Sequence, residues 1–274
     1  DRLGRDGNKV WDGLFFVIIG GVVGARLIYV ITNLPAYFGE GVPWYSMFAV
    51  WQGGLSFHGG IIGGYLATYI YFKRVGIPLI EVLDAFALGV APGIILVRIG
   101  NFMNGDILGY RWTGPWALSF PNDSYHTPFT PYFVDATAPV PRHPAEIYGM
   151  LVGLFCVIVT IFLWNETYIR KRLNAGTTLL GFFITYSLVR SIIEEPFRAV
   201  PLPWEVVDPA TAGFGLFTTT QIASIAIIFL CLALLPLTRK WEHSRMRSTT
   251  DDAHGPRGST RQVRRAQARS KKSK

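Results

Sequence analysis

Ionisable and amide side chains stand inside stretches of this chain that are otherwise apolar and glycine-rich. Gly53-Gly54-Leu55-Ser56-Phe57-His58-Gly59-Gly60 carries a histidine. Arg98-Ile99-Gly100-Asn101-Phe102-Met103-Asn104-Gly105-Asp106 carries a guanidinium, two amides and a carboxylate, and Arg190 and Glu194 share a later apolar run. A charge at membrane depth costs roughly 2.5–3.5 kcal/mol on insertion scales. Several of them kept in one chain predict a polar site inside a membrane bundle. Guanidinium stays protonated and forks onto phosphate oxygens, so Arg98 and Arg190 suit a phospholipid headgroup. The plainer reading is that each snorkels or neutralises a carboxylate, and the i,i+4 spacing lets Arg190 and Glu194 satisfy one another.

Asn101, Asn104 and Asp106 follow Arg98 in a segment rich in glycine (Gly100, Gly105, Gly109). Such a segment caps a helix, lines a cavity or offers donors to a polar ligand. His58 is a proton acceptor by chemistry, since imidazole titrates near neutral pH, and equally a polar anchor at an interface. His143-Pro144 reads as a helix start. Tyr65, Tyr148 and Tyr186 are belt residues or hydroxyl donors, and Asp84 reads as structural. No metal-ligand cluster, nucleotide loop or nucleophile elbow occurs in the sequence, so metal and nucleotide chemistry have no support.

These residues need a scaffold, and the apolar runs supply it. Half of the 274 residues are hydrophobic and 16% are charged, with a mean hydropathy of +0.31. The apolar residues come in runs of about 20, long enough to cross ~30 Å of hydrocarbon as helix. An all-α, polytopic transmembrane bundle of six spans is expected, near 13–33, 54–72, 79–100, 144–164, 178–195 and 219–237. Residues 1–12 form a polar opening, 13–238 the bundle with a long loop near 101–143, and 239–274 a basic tail. That tail is too poor in large apolar residues to bury a core and reads as disordered. Next to a membrane helix its charge points to topology and anionic lipid, with no nucleic acid expected. Cys156 and Cys231 sit among aliphatic residues and read as small buried hydrophobes.

Lys and Arg alternate between connections. Arg2, Arg5 and Lys9, then Lys73 and Arg74, then Arg170, Lys171 and Arg172, then the tail, mark one side, and the intervening connections hold few. The positive-inside rule places both ends in the cytoplasm. His58, Arg98, His143, Arg190, Glu194 and Arg26 then all fall within roughly 10–15 Å of the outer interface at helical rise.

With those residues assembled, the chain resembles the prolipoprotein diacylglyceryl transferase family of bacterial membrane enzymes. Gly54-Leu55-Ser56-Phe57-His58-Gly59-Gly60 is similar to its histidine motif, and Arg98 through Gly109 to its signature. His143-Pro144-Ala145-Glu146-Ile147-Tyr148 is similar to its HPxQxYE element, and Tyr186, Arg190 and Glu194 to its late arginine motif. The resemblance runs from about Val10 to Leu237.

It implies transfer of the diacylglyceryl group of phosphatidylglycerol to the lipobox cysteine of preprolipoproteins in the bacterial cytoplasmic membrane, without a cofactor. It also implies that the site faces the extracytoplasmic side and that the tail is cytoplasmic. Arg98 and Arg190 would bind the phosphate, Asn101, Asn104, Gly109 and Glu194 would shape the site, and His58 would be a candidate base. Asp106, Tyr186 and His143 would join the binding residues. This chain departs from the family pattern at Asp106 (Glu in the family), Tyr110 (Arg), Val97 (Gly), Glu146 (Gln) and Gly149 (Glu). The family's first span is absent from the sequence, which begins without methionine, so upstream residues are expected to be missing or this member dispenses with the span. A transporter or binding protein for an anionic lipid is the alternative, and it predicts internal symmetry between halves.

Overall fold

The computed structural model describes residues 6–37, 41–104, 107–119, 141–199, 213–243 and 246. Two compact units emerge, one of residues 1–82 with 243–274, the other of residues 83–242.

The first unit is built on α1 (Gly7–Thr32) and α2 (Phe57–Val75). Asp6 caps α1 by accepting from the Asn8 amide at 3.0 Å, and Ser56 caps α2 by accepting from the Gly59 amide at 3.4 Å. The two helices meet along a glycine seam. A Cβ on Gly24 would lie 2.4 Å from the Gly59 carbonyl oxygen, and one on Gly63 would lie 2.2 Å from that of Gly20. Gly20/Gly24 and Gly59/Gly63 are therefore paired small-xxx-small motifs that let the backbones touch. Arg26 is buried beside this seam. Its guanidinium donates to the carbonyls of Met47 (2.8 Å), Ser46 (2.7 Å), Gly53 (2.6 Å) and Gly54 (2.9 Å), tying the 44–54 connection to α1.

The second unit holds α3 (Leu79–Asn104) from Leu83 onward, α4 (Ala145–Trp164), α5 (Thr177–Ile193) and α6 (Thr219–Leu234). A π-helical turn, Asn165–Ile169, extends α4. The buried centre is Ala87, Ala91, Val152, Cys156 and Phe182. Asp84 fixes the start of α5, accepting from the amides of Gly176 (2.7 Å) and Leu179 (2.8 Å) and from the Tyr168 hydroxyl (2.7 Å). This carboxylate caps a helix from a neighbouring one, which agrees with a structural role. Thr218 and Gln221 form a capping box at the start of α6.

Beside these helices the chain makes a small ladder. β1 (Leu118–Ser119) pairs antiparallel with β2 (Pro141–Arg142). Tyr110 donates its amide to Phe197 and accepts from His143 at its carbonyl, while Ala199 donates to Leu108. Segment 108–112 thus runs between 141–143 and 197–199.

A helix occupies each of the six expected stretches, but only four helical runs among the described residues are long and apolar enough to cross a membrane. They are Gly7–Thr32, Leu79–Asn104, Ala145–Ile169 and Thr219–His243. The other two fall short for different reasons. α2 is diluted by glycines, tyrosines, Lys73 and Arg74, and α5 has only 17 residues. The helical run that begins with α6 continues to His243, into residues expected to open the tail, and Glu242 accepts from the Ala175 amide at 2.8 Å. Residues 247–274 lie outside the described ones.

Candidate active site

α5 breaks where it does because Pro196 cannot continue it, so Glu194 ends the helix and Glu195 opens a single 3₁₀ turn, Glu195–Phe197. Both glutamates are fully buried. Each finds arginines. Arg98, 7% exposed on α3, donates to Glu194, and the Arg190 Nε lies 3.8 Å from the other Glu194 oxygen. Arg190 also donates to Glu195 at 2.5 Å and to the Tyr186 hydroxyl at 3.0 Å, and Arg198 lies 3.4 Å from Glu195. Thr218 donates to the second Glu195 oxygen at 3.3 Å. The result is an alternating row, Arg98–Glu194–Arg190–Glu195–Arg198. Within this row three guanidiniums alternate with two carboxylates that hold them in place.

One glycine makes room for this row and another for His143. A Cβ on Gly149 would lie 2.4 Å from Arg98 Nε and 3.0 Å from a Glu194 oxygen, so the contact between α3, α4 and α5 requires glycine there. A Cβ on Gly109 would lie 2.1 Å from the His143 carbonyl oxygen, and the Gly109 carbonyl accepts from Arg142 at 3.2 Å.

An apolar cavity of about 620 Å³ lies in the same unit. Trp112, Trp116, Leu151, Ile192 and Phe197 line it, together with His143 and Tyr148. Trp112 stacks on His143 with ring centres 4.4 Å apart. Trp116 donates its indole N–H to the Tyr148 hydroxyl at 2.8 Å, which lies 3.0 Å from His143 Nδ1. Burial pulls the His143 pKa below the ordinary histidine value, partly offset by a hydrogen bond with the Gly213 backbone. His143 thus reads as a neutral wall residue, more than the bare helix start its proline indicates.

The structure brings Arg98, Arg190, Glu194 and Tyr186 into one network and seats Gly109 against His143. Asn101 and Asn104 lie on the last turn of α3, within the helix and not beyond it. Asp106 lies outside the described residues. His58 stands exposed on the first turn of α2, in the other unit. Arg190 and Glu194 do form the i,i+4 ion pair that their spacing allows, at 3.8 Å, and each has a further partner: Glu194 accepts from Arg98, 96 residues away, and Arg190 donates to Glu195. Glu195, Arg198, Arg142 and Trp116 escaped the sequence reading. Only the doubled acid Glu194-Glu195 before a proline could have signalled them.

The chain matches the sequence profile of the family described as prolipoprotein diacylglyceryl transferase over residues 2–237. It is 39% identical to the phosphatidylglycerol–prolipoprotein diacylglyceryl transferase of Thermus thermophilus, covering 85% of this chain and 84% of that protein. Proteins of the same name from Nitratidesulfovibrio vulgaris (33%) and Caldanaerobacter subterraneus (31%) are each covered over 84% of this chain and 77% of their own length. These relatives are named as transferases, which disfavours the transport reading. With the match running over residues 2–237 and including the α5 end that carries the arginine–glutamate row, this chain belongs to the prolipoprotein diacylglyceryl transferase family.

Proposed function

We propose that this protein transfers the diacylglyceryl group of phosphatidylglycerol to a cysteine thiol of a prolipoprotein, the first step of bacterial lipoprotein maturation. The observation that carries this reading is the row from Arg98 to Arg198, in which buried Glu194 and Glu195 hold three guanidiniums side by side. The donor headgroup is a phosphodiester with one negative charge. Arg98 and Arg190 take its oxygens, with Glu194 and Glu195 holding the guanidiniums in place before the lipid arrives.

The sulfur attacks the glycerol carbon that bears the phosphate. A C–S bond forms, the C–O bond to phosphate breaks, and glycerol phosphate leaves with a second negative charge. Fixed guanidiniums favour that developing charge because they need no reorganisation as it appears. The thiol proton must go to a base, because the thiolate is the nucleophile; we assign this role to His58. Asn101, Asn104, Asp106 and Tyr186 complete the headgroup site, and the aromatic cavity beside His143 takes an apolar part of a substrate. The protein works in the cytoplasmic membrane, with its site toward the extracytoplasmic face and its basic tail in the cytoplasm.

The test is transfer of labelled diacylglyceryl from phosphatidylglycerol to a lipobox peptide by the purified protein in detergent. Lipidated peptide and glycerol phosphate in equal amounts are expected. Lipid binding without transfer would reject the reading. His58→Gln should slow turnover strongly, and a modest loss would free His58 of the base role.

A further inference from the structure

Glu146 is the residue the proposed chemistry leaves without a task. It sits in the first turn of α4, is fully buried, and neither carboxylate oxygen has a hydrogen-bond partner beyond its own backbone amide. A carboxylate in that condition is expensive, and burial is tolerated when it meets a donor. Gly149, three residues on and so on the same helix face, is the glycine that abuts Arg98 Nε and a Glu194 oxygen. Glu146 therefore lies one helical turn from that contact, and it interacts electrostatically with Arg98, Glu194 and Arg198. The second Glu194 oxygen, Arg190 Nε and the Ser191 hydroxyl, all at the end of α5, also lack hydrogen-bond partners.

The chemistry of that set is informative. A phosphate accepts hydrogen bonds and needs only donors, which the arginines supply. Buried carboxylates beside them would repel a phosphate, yet they accept readily from hydroxyl groups. Cations for a phosphate with acceptors one turn away suit a phosphate joined to a polyol. Resting on the function proposed above, we propose that Glu146, together with Glu194, accepts hydrogen bonds from the headgroup hydroxyls and so selects a glycerol headgroup over an anionic lipid without hydroxyls. Glu146 is a specificity residue in this scheme and takes no part in the covalent step.

The test compares two donor lipids with identical chains, phosphatidylglycerol and phosphatidylethanol, in the full-length protein. Glu146→Leu should lower the ratio of kcat/KM for phosphatidylglycerol over phosphatidylethanol by about tenfold, the loss falling on phosphatidylglycerol. Glu146→Gln retains one acceptor and should lower it by about threefold. An unchanged ratio, or equal loss on both lipids, overturns the proposal. A measurement on the unaltered protein removes any dependence on folding of the variants: glycerol phosphate should inhibit about tenfold better than ethyl phosphate, and equal inhibition overturns it. Absence of transfer from phosphatidylglycerol by the unaltered protein would reject the transferase reading itself, a different result from either.

Discussion

Arg26 and Arg98 are both buried guanidiniums in apolar helices, and their surroundings differ in kind. Arg26 donates to four backbone carbonyls of one connection, whose positions are set by the chain itself. Arg98 meets a carboxylate that Arg190 shares, beside polar atoms that have no partner. The first arrangement spends four of the five guanidinium N–H groups on fixed carbonyls and works as a clamp. The second can exchange one partner for another, which a binding site requires. Burial of a charge in a membrane helix therefore does not mark function by itself; what the charge is paired with does.

The largest effect should come from Arg98→Ala. Losing a fixed cation of this kind costs about 10²–10³ in turnover, read by lipid transfer to the peptide. The double change Arg98→Met with Glu194→Met should be equally inactive. It should unfold no sooner than the parent in thermal scans, because replacing both members of a buried pair is often neutral. Early unfolding of the double variant would make this row as structural as the Arg26 clamp. Gly149→Ala pushes a methyl group into Arg98 and should slow transfer by about 10²-fold, as displacements near 1 Å do. Normal turnover would show that Arg98 can shift without consequence.

Arg26→Met cannot be rescued by a partner change, since its partners are carbonyls. It should lower stability, because four partly buried carbonyls lose their donor and the 44–54 connection loses its tie to α1, seen as earlier thermal unfolding. Gly63→Val overpacks the seam in the same unit and should cost about 1–3 kcal/mol. The smallest effect is on pH dependence. His143 has a depressed pKa in the fold, so its contribution to stability is present above the ordinary histidine value of about 6.5 and is lost as pH falls below it. His143→Phe should blunt that acid-side loss in unfolding experiments at pH 5 to 7.

The helices were legible because apolar runs of the right length leave few other options. Arg98, Arg190 and Glu194 were legible because charge is costly in such runs. Spacing gave the Arg190–Glu194 ion pair but not its extension, since Glu195, one residue further, also takes the guanidinium. Arg26 was grouped with the site by depth alone, and depth says nothing about the partner. Glu146 was visible only as a departure from a family pattern; its burial depends on helices that come together in space.

Hydropathy and charge alone pointed to a helical membrane protein and to a pair of arginines suited to an anion, because they are local properties that need no neighbours to be read, and the motifs pointed to the family. Only the folded chain shows which acid answers which arginine, why positions 149 and 109 are tight enough to need glycine, and where a cavity opens beside His143. Those depend on contacts across 30 to 100 residues of chain, such as Arg98 with Glu194, and no local pattern encodes them.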